Sequence, residues 1–231
     1  MTNFSGFFYQ RFTGNYKRKG GGLAEVSNKA RHFHRICCWS LLLVGALLMA
    51  QGGYMQAKAH FAQFLIQQAW QKTLQERRPH KPWSWADTHP VAKMDFLPAD
   101  IRDYDSEHAR LNGDSLYVLA GASGRNLAFG PAQMLSSANI NSRGNTVIAG
   151  HRDTHFARLN SIKLGQLIRL QSATGKSLVY KVIMAEVVHE SDMSVTEDSG
   201  ESVLTLVTCY PFGAEFAGGE QRFVVQAVPI N

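Results

Sequence analysis

The chain has 231 residues, 45% of them hydrophobic, a formal net charge of +6 and three cysteines. That length accommodates one ordinary globular domain with additional segments. Seven Lys/Arg against the single acid Glu25 place the charge excess in residues 1–35, leaving 17 basic and 17 acidic residues beyond it, so the body lacks the basic footprint of a nucleic-acid partner.

Residues 1–35 read as a basic tail in which Lys17-Arg18-Lys19 leads into Gly20-Gly21-Gly22, a composition expected to stay disordered. Residues 36–55 carry no charge, and a run of about 20 residues is long enough to span a hydrocarbon core. Trp39 and Tyr54 stand near its two ends, where amphipathic rings favour the interface. The basic flank is expected to remain cytoplasmic and the C-terminal body to be exported. This makes a single-pass protein of the inner (cytoplasmic) membrane, with membrane lipid as its partner. A signal peptide cleaved near Ala57-Lys58-Ala59 is the competing reading. The long basic region before the apolar run, and the lack of a polar stop after it, favour an uncleaved anchor. A buried core helix fits the one-sided basic flank poorly.

Residues 56–89 form the next segment, a helical stalk and linker. Phe61, Phe64, Leu65, Ala69 and Trp70 recur at helical spacing with no Pro or Gly among residues 56–78, which predicts a helix continuing out of the membrane. Pro79 and Pro82 end it. Trp83 and Trp85 are expected to pack on an apolar surface of the domain that follows.

Residues 90–231 read as the folded body. Strands are predicted at 91–96, 115–120, 146–149, 167–171, 177–188, 203–208 and 223–228. Turn signals stand at Asn112-Gly113-Asp114, at 121–126 and at Ala173-Thr174-Gly175-Lys176. One helix is predicted over 130–138. Short strands at modest spacing predict a barrel or a sandwich. Gly121 and Gly124 lack the further Gly and Lys of a phosphate loop, so a hairpin turn is expected there.

The chemistry concentrates in three places. Thr205-Leu206-Val207-Thr208-Cys209 is a strand-type run ending in a cysteine, Asn145-Thr146-Val147-Ile148-Ala149-Gly150 ends at His151, and Arg222 lies within a further strand-type run. Cys37 and Cys38 lie at the anchor's cytoplasmic edge, so Cys209 is alone in the body. In an oxidising compartment a lone thiol is a liability unless it is buried or used. Free cysteine has a pKa of about 8.5, and a neighbouring imidazole or cation raises its thiolate fraction. His151 is the candidate acid/base, with Gly150 expected to allow a sharp turn at the strand end. Arg222 offers a permanently charged fork for a developing oxyanion. Taken singly, each has a plainer reading: a buried small hydrophobe, a loop histidine, a structural ion pair.

Together these segments resemble the sortases. Thr205–Cys209 is similar to the T-L-x-T-C signature, the step from Cys209 to Arg222 matches the spacing to the sortase arginine, and 146–156 resembles the segment around the sortase histidine. The resemblance covers residues 90–229. It implies a mostly β fold, a closed barrel with the site at one rim, with Cys209 as nucleophile, His151 as acid/base and Arg222 holding substrate or oxyanion. It also implies a protein substrate with a C-terminal LPXTG-like sorting signal, a thioacyl-enzyme, and transfer to an amine. The residues after His151 and Cys209 look most like class GN, or classes D and E. No cofactor or metal is expected.

Several residues remain outside this scheme. Some sortases bind calcium before the cysteine strand, but Glu186, Glu190, Asp192, Glu197, Asp198 and Glu201 read better as a solvated acidic loop. His155, with His151, Asp153 and Cys209, makes a weak zinc set because no helix is predicted there. His189 is a lesser rival for the base. Two alternatives stay open: a thiol hydrolase of the same fold, and an exported β-barrel binding module whose cysteine is merely buried.

Overall fold

The computed structural model describes residues 21–97, 115–198, 200–216 and 218–230, with side chains from residue 32 onward. The chain divides into two compact units, Met1–Met55 and Gln56–Asn231. The predicted turn at 112–114 lies outside the described residues.

Helix α1 (Gly21–Glu76) takes in both the expected anchor and the expected stalk. It also includes 21–35, where irregular chain was expected; Leu23, Ala24, Glu25, Lys29, Ala30 and Arg31 are good helix formers with no proline among them. Within the first unit its apolar side chains, among them Leu41, Leu42, Leu43 and Leu48, are exposed, and the helix is long and apolar enough to cross a membrane. Arg77, at φ 52°, ends it in the left-handed conformation of a helix stop, with Pro79 close behind.

In the second unit the last turns of α1 bury Ile66, Ala69 and Trp70. Ile66 packs with Leu119 and Ala132, and Trp70 meets Tyr117 at 6.4 Å between ring centres. Trp83 joins this cluster edge-to-face with Phe129 at 5.0 Å. Trp85 is exposed, so only one of the two tryptophans covers the surface expected of both.

The body is a closed barrel of eight strands among the described residues: β1 (Pro90–Leu97), β2 (Leu116–Ala120), β3 (Ala132–Gln133), β4 (Asn145–Ala149), β5 (Leu167–Ser172), β6 (Ser177–His189), β7 (Val203–Tyr210) and β8 (Gln221–Pro229), in the order β1-β2-β3-β4-β7-β8-β6-β5. All seven predicted strands form. Alternate residues face inward, and the interior holds Met94, Val118, Ile148, Ile168, Leu170, Leu204, Leu206 and Val225. Closure removes the exposed edges that an open sheet must protect.

Two expectations fail between β2 and β4. Residues 121–126 do not make a hairpin: β2 pairs parallel with β3, and the short helix α2 (Gly124–Leu127), capped by Ser123, lies in the connection. Residues 130–138 do not form a helix. A side chain at Gly130 would meet the carbonyl of Tyr117 at 2.9 Å, so the chain runs hard against β2 there. Leu119 donates to Pro131, Gln133 aligns with Ile148, and Met134 donates to Val147. This segment bridges β2 to β4, and the ladder bonds it makes on both sides outweigh its helical spacing.

Candidate active site

Leu204 and Leu206 point into the core, so alternation turns Thr205, Val207 and Cys209 to the outer face of β7. The same argument places Arg222, Val224 and Gln226 on the outer face of β8, because Phe223, Val225 and Ala227 pack with the core. Cys209 and Arg222 are direct partners across the antiparallel β7–β8 pair. Strand β4 lies parallel to β7 on its other side, with Ala149 opposite Val207. β4 ends at Ala149, two residues short of His151, and it is the strand that neighbours the cysteine strand.

The two threonines of the T-L-x-T-C run fasten these strands. Thr205 donates to the Asn145 side chain at 2.7 Å, and Thr208 donates to the Gly150 carbonyl at 2.8 Å. Both are buried, and a buried hydroxyl left without a partner costs about 1–3 kcal/mol. The Gly150 amide returns to the Val207 carbonyl at 3.1 Å. The residue before the histidine is therefore held to the cysteine strand through both its N–H and its C=O. Asn145 and Gln226 also donate to the carbonyl of Val195, which lays the short turn Ser194–Thr196 over the outer face.

Gly150 has a different reason from the sharp turn expected of it. Its φ lies outside the left-handed region, but a Cβ there would sit 2.7 Å from the Phe156 ring. Phe156 is fully buried, and its amide donates to the His151 carbonyl at 3.0 Å, closing the loop back on itself. Gly150→Ala is expected to destabilise the barrel by about 1–3 kcal/mol through overpacking. Thermal unfolding of the two chains measures this, and an unchanged midpoint would show that the ring moves freely.

Arg222 is engaged on three sides. Its Nη1 donates to the carbonyls of Gly219 and Gln221 at 2.6 and 2.9 Å, and its Nη2 meets Glu190 at 2.5 Å. Among the described residues the Nε–H and the second Nη2–H have no acceptor. His189 ends β6 with its Nδ1 against Ser191 at 2.7 Å and its Nε2 3.8 Å from Glu220.

His155 follows the turn after His151, with Nδ1 3.2 Å from the Thr154 hydroxyl. Burial holds its pKa below the ordinary imidazole value, helped by the nearby His151 and Arg158. The acidic residues before β7 have individual partners: Asp192 accepts from Ser194, Asp198 from the Gly200 amide, and Glu201 pairs with Arg143. Glu186 lies within β6, away from that loop. Among the described residues no three His, Cys, Asp or Glu side chains converge as metal ligands. Cys209 and Arg222 are thus paired on adjacent strands, with Glu190 held against Arg222, while His151 lies two residues past the end of the neighbouring β4.

The sequence gives Thr205 and Thr208 only as fixed positions of the motif and Glu190 only as part of a solvated acidic loop. The pairing of Glu190 with Arg222, 32 residues away, has no local pattern.

A thiol and an arginine paired on adjacent strands, beside the strand that leads to a histidine, invite comparison with known proteins. A sequence model of the sortase domain matches residues 110–230. Sortase D of Bacillus subtilis is 30% identical over 120 residues, which are 52% of this chain and 59% of that protein. The chain thus spans about three-fifths of that relative's length. Among solved structures, a lid mutant of sortase A from Corynebacterium diphtheriae superposes with a TM-score of 0.52 at 19% identity, covering 76% of this chain and 95% of that one. A sortase D5 transpeptidase of Clostridium perfringens gives 0.50 at 19% identity, covering 71% and 99%. These two likenesses concern the fold. The domain match extends over more than half of the sequence and contains all three candidate residues, and the chain belongs to the sortase family.

Proposed function

We propose that this sortase is a membrane-anchored cysteine transpeptidase. It cleaves an LPXTG-like C-terminal sorting signal and transfers the target protein to an amine. The observation that carries the reading is the register of β7 and β8, which pairs Cys209 with Arg222, together with β4, which lies beside β7 and leads toward His151. Cys209 gives its thiol proton to His151 as Sγ attacks the scissile carbonyl carbon, and the carbonyl electron pair moves to oxygen. The free Nε–H and Nη2–H of Arg222 stabilise that oxyanion. The C–N bond then breaks, His151 gives its proton to the departing amine, and a thioacyl-enzyme remains. An incoming amine gives a proton to His151, attacks the thioester and releases Cys209. The residues after His151 and Cys209 favour class GN, or classes D and E.

The exposed apolar stretch of α1, with its basic flank on one side, supports an anchor whose N-terminus stays in the cytoplasm and whose barrel is exported. Intact mass of membrane-extracted protein tests it: residues 1–35 should be retained, and a mature N-terminus near His60 would replace the anchor with a cleaved signal.

Product analysis on an LPXTG peptide, with and without triglycine as the amine, tests the transpeptidation. Peptidyl-triglycine is expected. Free acid alone at saturating triglycine would leave a hydrolase, and an unreactive, inaccessible Cys209 would leave a binding module. Glu190→Gln should lower turnover about tenfold by loosening the Arg222 fork. An ion pair this exposed contributes only about 0–1 kcal/mol to stability, so the unfolding midpoint should barely move. Unchanged turnover would mean that the pair has no part in placing Arg222.

A further inference from the structure

Arg152 follows directly on His151 and is nonetheless buried, at 4% exposure. Its Nε lies 3.3 and 3.4 Å from the Asp153 carboxylate oxygens. Its Nη2 donates to the carbonyls of Ala214 and Phe216, at 3.3 and 2.5 Å. Its Nη1 is buried with no protein partner among the described residues. Burying a guanidinium costs several kcal/mol unless it is well paired, and Asp153 is largely exposed. A charge placed here therefore draws attention to what it holds.

Ala214 and Phe216 belong to the connection that carries the chain from Cys209 on β7 to Arg222 on β8. Phe216 itself is 82% exposed and supplies no packing anchor. Among the described residues, Arg152 is the only side chain or backbone group that hydrogen-bonds to Ala214 or Phe216. Nη2 reaches both carbonyls while Nε faces Asp153, a division between two nitrogens of one plane that the single nitrogen of an ammonium does not reproduce.

We propose that Arg152 is a positioning residue: it clasps the connection between Cys209 and Arg222 to the turn that presents His151. The site is otherwise assembled from strand ends, where ladder bonds run out, and this clasp fixes the irregular chain between them. Its catalytic consequence rests on the transpeptidase reading above. The clasp itself does not, because it also governs the reactivity of the Cys209 thiol toward a small reagent.

The test uses the full chain in detergent micelles, with Arg152→Lys as the variant and Arg152→Gln as a second. Amide hydrogen exchange, Cys209 alkylation by iodoacetamide resolved peptide by peptide, and turnover of an LPXTG peptide are measured together. Exchange in 211–216 should rise about tenfold or more while β4, β7 and β8 keep their protection. The alkylation rate should change by about threefold or more. In turnover kcat should fall about tenfold with KM within about threefold, as misplacement rather than lost binding requires. Exchange and alkylation both within about twofold of the unaltered chain overturn the clasp. So does exchange rising evenly over the whole barrel, or failure of both variants to fold, either of which makes the role structural. If the unaltered chain turns over no peptide while exchange and alkylation still respond, the transpeptidase reading fails and the clasp stands.

Discussion

Cys209→Ala is expected to abolish the covalent adduct with an LPXTG peptide and to lower turnover by about 10⁴-fold or more, since removing a nucleophile leaves only binding and oxyanion stabilisation. The barrel should stay folded. Cys209 is half-buried at the last turn of β7, and its backbone pairing with Arg222 does not depend on the thiol. The interior contacts of that strand come from Leu204 and Leu206 instead. Mass spectrometry of the trapped species settles the assignment when Cys37 and Cys38 are replaced by serine in both chains. An adduct persisting on the Cys209→Ala chain would remove the residue from the mechanism.

The second large effect separates two histidines four positions apart. His151→Ala should cost about 10²–10⁴ in kcat/KM, the range of general acid–base catalysis, whereas His155→Ala should change it by no more than about threefold. His151 follows directly on Gly150, which is bonded to the cysteine strand, while His155 is held against Thr154. His155 should reveal itself in stability. Its folded pKa lies below 6.5, so the unfolded chain takes up the proton more readily. The folded state is accordingly penalised as pH falls below 6.5. His155→Ala should flatten that acid limb and leave the neutral region alone. Equal losses of activity in the two variants would end the preference for His151.

The strands were legible because most of them are runs of β-branched and apolar residues with period two. β3 was not, since two residues carry no period, and its Ala132 with the following Met134, Leu135 and Ala138 imitates a helical stripe. The deciding facts, the close approach of Gly130 to β2 and the bonds to Leu119 and Val147, involve partners that a local pattern does not contain. The site divided along the same line. His151, Cys209 and Arg222 each sit in a distinctive local motif. Glu190 and Arg152 act on carbonyls and charges 32 to 64 residues distant, and neither has a local signature. Gly150 was noticed for the wrong property, because what it accommodates is a ring six residues ahead.

The position of β7 between β4 and β8 has one more consequence. Its main-chain N–H and C=O groups are committed on both sides, to β4 through Val207 and to β8 through Tyr210. Along Val203–Val207 an extended peptide therefore finds no free edge on which to add itself as another strand, the mode by which many domains capture linear segments. On the transpeptidase reading proposed above, a sorting signal bound over this stretch would lie across the outer wall of the cylinder. Its backbone would be read by side chains and loop groups, not by a ladder, so selectivity can be altered there residue by residue without disturbing the sheet.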